Sequence, residues 1–435
     1  MRKLIAYLNG RAVGTLTEGS DLWTFEYDRE WASLPDSFDL SPALPRSQIL
    51  HEDGGRDRPV QWYFDNLLPE EQMREAVSKE ANIHGDDAFA LLEYLGAESA
   101  GSLVLLPPGQ DANESGGLRP LSDDELSQRI RNLPRVTLSS GAPKRMSLAG
   151  AQNKLLVVYR DGALFEPVGS EPSTHILKPN HLGDDYPASV INEYFVMTLA
   201  RSLGLSVPPV FRRYTPEPVY FVERFDRPVD NTGRTQRRQI IDACQLLNKS
   251  RTFKYKTATL QTLAKIVDYC RNRVSTRLSL YRWLVFNLLL ANTDNHLKNL
   301  SFLVSAQGIE LAPAYDLLST GTYHTRAFAN ERANWPAVDL AIELPGATTL
   351  AEVTRESVLG AGEALGLPRR LGERELDRLT RDLPPALNAL EQNIERENAD
   401  YPEPVRVFLG GESRLVAILK HIVVRDMLER LMAAH

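Results

Sequence analysis

The stretch LLLANTDNHLKNLSFL (288–303) is mostly apolar, yet Asp294, His296, Lys298 and Asn299 fall within six residues in its middle. Burying one unpaired charge costs several kcal/mol. A chain that sets a carboxylate, an imidazole, an amine and an amide between two core segments must therefore give them a purpose. The plain one is local: Asp294 caps a helix end and Asn299 satisfies a loop carbonyl. The other is a metal–phosphate cleft cut into a helical core.

With 435 residues the chain is too long for one ordinary core, so two or three domains are expected. A net charge of −7 speaks against nonspecific nucleic-acid binding by the chain as a whole, while leaving room for a local basic patch. Cys244 and Cys270 are too few for a disulfide framework or a zinc cluster, and they fit a reducing compartment. The apolar run in MRKLIAYLNGRAV is too short for a signal peptide. WLVFNLLLAN is half the length of a membrane span. The expectation is a cytoplasmic protein without membrane segments.

Local signals divide the chain. KLIAYL and RAVGTL flank Asn9-Gly10, a type I′ hairpin signal. Short strands and the helices PEEQMREAVSKEAN and DAFALLEYLG carry on to about residue 105. PPGQDANESGGLRP (107–120) reads as a linker or long loop. KLLVVY and ALFEPV form a second hairpin, and STHILKPN is a short strand ending at Lys178-Pro179. PASVINEYFVMTLARSLGL is a helix closed by Gly204. PVYFVERF is an apolar strand running into Glu223. From about 236 the pattern is helical apart from the strand–turn–strand SFLVSAQGIELAPAYD, and the C-terminal segments are amphipathic helix. A β-rich domain followed by a β-plus-helix unit and a helical unit has the order of a two-lobed kinase.

Phosphoryl transfer needs a backbone-lined loop over the phosphates, a Lys on them, metal-binding Asp and Asn, and a carboxylate near the attacking hydroxyl. Asp294 and Asn299 stand five apart, as the Asp and Asn of a protein-kinase catalytic loop do, although His296 stands where that loop has Lys. The hairpin that follows returns the chain at Asp316, where a second carboxylate could hold Mg²⁺. Lys178 at a strand end could reach the phosphates or be solvated. Glu193, in an otherwise apolar helix, wants a cation such as Lys178, or solvent. SLAGAQNK (147–154) is small and flexible, suited to bring N–H groups to phosphate, and an ordinary turn would look the same. Residues 234–256 carry seven Lys/Arg and one acid, either a phosphate-binding patch or a solvated basic face.

In order along the chain, SLAGAQNK, THILKPN, INEYF, VERFDR, TDNHLKNLSFL and YDLLS resemble the HipA family of serine/threonine kinases, the toxins of HipBA-type toxin–antitoxin pairs. WYFDNLLPE and LLEYLGAESAGSLVLLP are similar to that family's N-terminal domain. The resemblance implies an α+β, two-lobed protein-kinase-like fold with an extra N-terminal β-rich domain (1–106), an N-lobe (121–228) and a helical C-lobe (229–435). It implies Asp294 as catalytic base, Asn299 and Asp316 as Mg²⁺ ligands, and Lys178 on the ATP phosphates with His296 nearby. Ala149, Gly150, Ala151, Gln152, Asn153 and Lys154 would form the phosphate loop. Glu223, Arg224 and Phe225 would lie at the adenine, and Ser147 would be autophosphorylated. The implied substrate is an aminoacyl-tRNA synthetase. The implied partner is a small helix-turn-helix DNA-binding antitoxin, through which the chain would reach operator DNA. Two other readings are an idle scaffold for antitoxin and DNA, and a metal-dependent phosphoesterase. The joint presence of Lys178, Asp294, Asn299 and Asp316 argues against the first, and the scattered histidines argue against the second.

Overall fold

A computed structural model describes the chain except residues 100, 111, 113, 114, 147–149, 151 and 433–435. The chain forms two compact units, and each draws on several segments. The first holds Met1–Lys178, Phe221–Phe253 and Ser301–Ala312, and the second holds Pro179–Tyr220, Lys254–Leu300 and Pro313–His435.

The first unit begins with strands β1 (Arg2–Leu8), β2 (Arg11–Gly19), β3 (Leu22–Tyr27) and β4 (Leu50–Glu52), joined by β5 (Val104–Leu106) in the order β4-β3-β2-β1-β5. Asn9 and Gly10 both take positive φ, 49° and 79°, as a type I′ turn demands. Leu4, Ala6 and Leu8 alternate onto the buried face. The helices Pro59–Asp65 and Ala88–Leu95 cover it, with Phe64 and Phe89 seated on Phe25 and Trp23 at ring distances of 5.5 and 5.3 Å.

A second sheet holds β6 (Gly117–Pro120), β7 (Leu155–Arg160), β8 (Ala163–Val168) and β9 (His175–Pro179). Beyond β9 it takes in β11 (Pro218–Glu223), in the order β11-β9-β7-β8-β6. Strand β6 corrects the reading of 107–120 as linker throughout, because Gly117–Pro120 pairs with β8. It is an edge strand, where Gly and Pro are tolerated because one side of the ladder is open. Residues 236–256 are not simply helical either: β12 (Ile240–Asp242) pairs with β13 (Ser301–Ser305), which forms a hairpin with β14 (Gly308–Leu311).

The second unit is mostly helical. Helix Ser189–Ser202 is closed by Gly204 at φ 79°, and β10 (Val210–Tyr214) pairs with β11. Around them lie Leu260–Tyr269, Arg273–Leu289, Arg355–Ala364, Arg369–Ala399, Glu403–Ile418 and Arg425–Met432. The 31-residue helix buries Leu376, Leu379, Leu383, Leu387, Leu390 and Ile394, spaced three or four apart so that one stripe faces the core. Cys244 and Cys270 are buried, and neither forms a disulfide. Among the described residues no helix is long and apolar enough to cross a membrane.

Candidate active site

The candidate catalytic loop begins where helix Arg273–Leu289 ends. Ala291 turns left-handed at φ 49°, and the Asn292 N–H closes the helix on the Asn287 carbonyl at 2.8 Å. The Ala291 carbonyl accepts the Gly321 N–H at 2.9 Å and the Thr320 hydroxyl at 3.0 Å. Glycine is required at 321: a Cβ there would lie 2.6 Å from that of Ala291 and 2.7 Å from the Trp335 ring. The Thr293 N–H donates to Thr320 Oγ1 at 2.7 Å.

The five-residue spacing of Asp294 and Asn299 now has a structural cause. Asn299 Nδ2 donates to the Asp294 backbone carbonyl at 2.7 Å, and the His296 N–H donates to the same oxygen at 2.9 Å. Asn299 thus fastens the loop around the carboxylate that it follows in sequence. The local reading of Asn299 as satisfying a loop carbonyl is therefore correct, and it leaves Oδ1 as the atom with metal-ligand chemistry. The Asp294 side chain keeps 45% of its surface exposed, so a protein hydroxyl can reach it. His296 is buried, with Nε2 at 4.0 Å from Asp294 Oδ1. Tyr255 donates its phenol hydroxyl to the same Oδ1 and packs edge-on against the His296 ring at 4.7 Å.

Asp316 belongs to the same unit. It takes φ 53°, a left-handed conformation uncommon outside glycine and more accessible to Asp than to most residues. The Tyr315 hydroxyl donates to the Lys298 carbonyl at 2.8 Å, which ties the neighbour of Asp316 to the neighbour of Asn299. Downstream, Asn192 exchanges hydrogen bonds with Ser319, its Nδ2 to the carbonyl at 2.9 Å and the Ser319 N–H to Oδ1 at 2.8 Å. Burial pushes the Tyr220 phenol well up, and the charges of Glu193 and Asp316 act in the same direction. Asn299 Oδ1 and the Asp316 carboxylate are oxygen donors of the kind that a hard cation such as Mg²⁺ takes.

The first unit carries the remaining candidates. Lys178 is buried near the end of β9, and Glu223 is exposed at the end of β11. Phe225 is half-buried. Arg224 is already engaged: its guanidinium binds Asp226 at 2.8 Å and Ser173 at 3.1 Å, and its N–H donates to the Thr174 carbonyl at 2.9 Å. Gly150 takes φ 101°, with its carbonyl accepting the Glu70 N–H at 3.3 Å. Gln152, Asn153 and Lys154 are partly exposed. Ser147, Ala149 and Ala151 lie outside the described residues.

Sequence reasoning missed Glu98. Fully buried, it meets Arg237 at 2.6 Å, Lys144 at 3.0 Å, Arg227 at 3.3 Å and Arg224 at 3.6 Å. Burial alone would raise its carboxyl, but the charges of Arg237, Lys144, Arg227 and Arg224 hold it well below the usual range. The only hint in the sequence is an acid in the small-residue run GAESAGS. Ion pairs thin the basic stretch 234–256: Arg237 is spent on Glu98, and Arg251 pairs separately with Asp65 at 3.0 Å. Tyr255 and Tyr315 were missed too, since a lone tyrosine in FKYK or APAYD carries no pattern.

Comparison with known proteins agrees with the sequence resemblance. Residues 4–106 match the model of the HipA N-terminal domain, and residues 146–384 match that of the HipA-like C-terminal domain. The serine/threonine-protein kinase toxin HipA of Shewanella oneidensis is 30% identical over 389 residues, 85% of this chain and 84% of that protein. Y4mE of Sinorhizobium fredii, whose name describes a kinase, is 37% identical over 337 residues, 74% of this chain and 78% of that protein. A structure of the Shewanella oneidensis toxin–antitoxin complex of HipA, HipB and operator DNA matches with a TM-score of 0.78 and 26% identity, covering 99% of this chain and 100% of that one. The chain, with its α+β kinase-like fold, belongs to the HipA family of serine/threonine-protein kinases.

Proposed function

We propose that the chain is the toxin of a type II toxin–antitoxin pair, transferring the γ-phosphoryl group of ATP to a serine or threonine of a protein substrate with Asp294 as base. The observation that carries this reading is the loop itself: an exposed Asp294 carboxylate fastened by Asn299 through its own backbone, with the neighbour of Asp316 tied to the neighbour of Asn299 by the Tyr315–Lys298 hydrogen bond. Asp294 takes the proton of the substrate hydroxyl as its oxygen attacks the γ-phosphorus and the bond to the bridging oxygen breaks, releasing ADP. Asn299 Oδ1 and the Asp316 carboxylate would hold Mg²⁺, which would supply positive charge against the phosphates. Lys178 and residues 149–154 serve the phosphates, and Glu223 and Phe225 the adenine.

The partner follows from the relative seen with HipB and operator DNA: a HipB-like helix-turn-helix antitoxin that brings the chain to its operator. The family resemblance supports an aminoacyl-tRNA synthetase as substrate, its phosphorylation halting translation. Autophosphorylation of Ser147 would add about −1.5 to −2 charges to the phosphate loop and switch the enzyme off, since that loop cannot both cradle ATP and carry a dianion. The deciding experiment is Asp294→Asn. Asn keeps the shape but cannot take the proton, so phosphotransfer should fall by about 10²–10⁴ while ATP affinity holds. Near-normal turnover in this variant would remove Asp294 as base.

A further inference from the structure

We propose that Tyr255 is a positioning residue for the catalytic base, holding the Asp294 carboxylate by one oxygen so that the other faces the substrate hydroxyl. The proposal rests on the reading of Asp294 as base. Among the described residues, the Tyr255 phenol supplies the one hydrogen bond that this carboxylate receives, on Oδ1. The other bonds to Asp294 involve its backbone: the N–H donates to Asn292 Oδ1 at 3.0 Å, and the carbonyl accepts Asn299 and His296. The loop backbone is thus fixed from within, whereas the hydrogen bond to its carboxylate comes from outside, with His296 Nε2 4.0 Å from the same oxygen. An aspartate with 45% of its side chain exposed has rotamers to choose from. A base that must meet a hydroxyl within about 3 Å needs one of them selected.

Tyr255 is itself held for that task. The Lys254 carbonyl accepts the Leu297 N–H at 3.1 Å, pinning the main chain beside Tyr255 to the loop it serves. The ring stands edge-on to the buried His296 ring. Lys254 Nζ lies 5.4 Å from the centroid of the same ring, and a cation over a phenol face draws electron density away from the hydroxyl and makes it a stronger donor. The bond uses Oδ1 alone, so a carboxylate with two oxygens can be oriented by one and react through the other. A tyrosine 39 residues upstream in sequence thereby completes the loop.

The test compares wild type, Tyr255→Phe, Asp294→Asn and the double variant. It measures label transfer from γ-labelled ATP into casein and into the chain itself, together with ATP affinity and melting temperature. Phe keeps the ring on His296 and removes only the donor. Tyr255→Phe should lower kcat roughly tenfold, the scale of one hydrogen bond to a charged group. KM for ATP, ATP affinity and melting should stay as in wild type. In the Asp294→Asn background the same change should cost nothing further, because the group it orients is no longer a base. Wild-type kcat in Tyr255→Phe overturns the proposal while the base assignment stands. So does an equal loss in both backgrounds, or a fall in kcat matched by falls in melting and ATP affinity, which would make Tyr255 a structural brace. Full activity in Asp294→Asn overturns the base assignment, and with it this proposal.

Discussion

Replacing Glu98 by Gln would leave Arg224, Arg227, Arg237 and Lys144 with Asp226 as the remaining acid of the cluster. Arg227 is fully buried, and burial together with the neighbouring Arg224 already lowers its guanidinium to about 10. Removing the hub acid therefore strands buried positive charge, which typically costs about 3–5 kcal/mol. At about 2–4 °C per kcal/mol for a domain the size of the first unit, the melting temperature of that unit should fall by about 6–20 °C at pH 7. The pH dependence has a definite sign. The folded-state carboxyl of Glu98 lies well below its unfolded value near 4.5. Its contribution is thus fully present above that unfolded value and is lost as pH drops through the lower, folded one. The gap between wild type and Glu98→Gln should stay constant from pH 8 to 5 and close under stronger acid. Calorimetry across that range measures it. Adding Arg237→Met should recover part of the loss by removing one stranded cation. A melting temperature within about 2 °C of wild type, or no recovery in the double variant, would refute the charge-compensation account.

Asp316→Asn should weaken ATP binding in the presence of Mg²⁺ and leave metal-free binding unchanged, because a hard cation loses its anionic ligand; titration calorimetry at several Mg²⁺ concentrations reads the difference. Gly321→Ala should destabilise by about 1–3 kcal/mol, since its Cβ would meet Ala291 at 2.6 Å and Trp335 at 2.7 Å. The same change should slow phosphotransfer, as the Gly321 N–H and Thr320 hydroxyl hold the Ala291 carbonyl just before the catalytic loop. A stable, fully active variant would show that this contact does not set the loop.

What the sequence determined by itself is what neighbouring residues settle between them. Asn9-Gly10 makes a hairpin because both positions must take positive φ, and Gly204 stops a helix for the same reason. The apolar spacing in the C-terminal segments commits them to helices before any partner is present. Asp294, Asn299 and Asp316 could be nominated as candidates because their spacing and the returning hairpin are written in a short interval. Tertiary structure decided the rest. Gly117–Pro120 becomes a strand only because the edge of β8 is there to pair with it. Ile240–Asp242 becomes one only against β13, some sixty residues on. Glu98 gathers cations from 46 to 139 residues away. Tyr255 reaches Asp294 across 39. A hydrogen bond or ion pair between distant residues leaves no periodicity and no local propensity in the chain. It exists only once loop closure has brought the two groups together, so the groups that orient the candidate base become visible only in the folded protein.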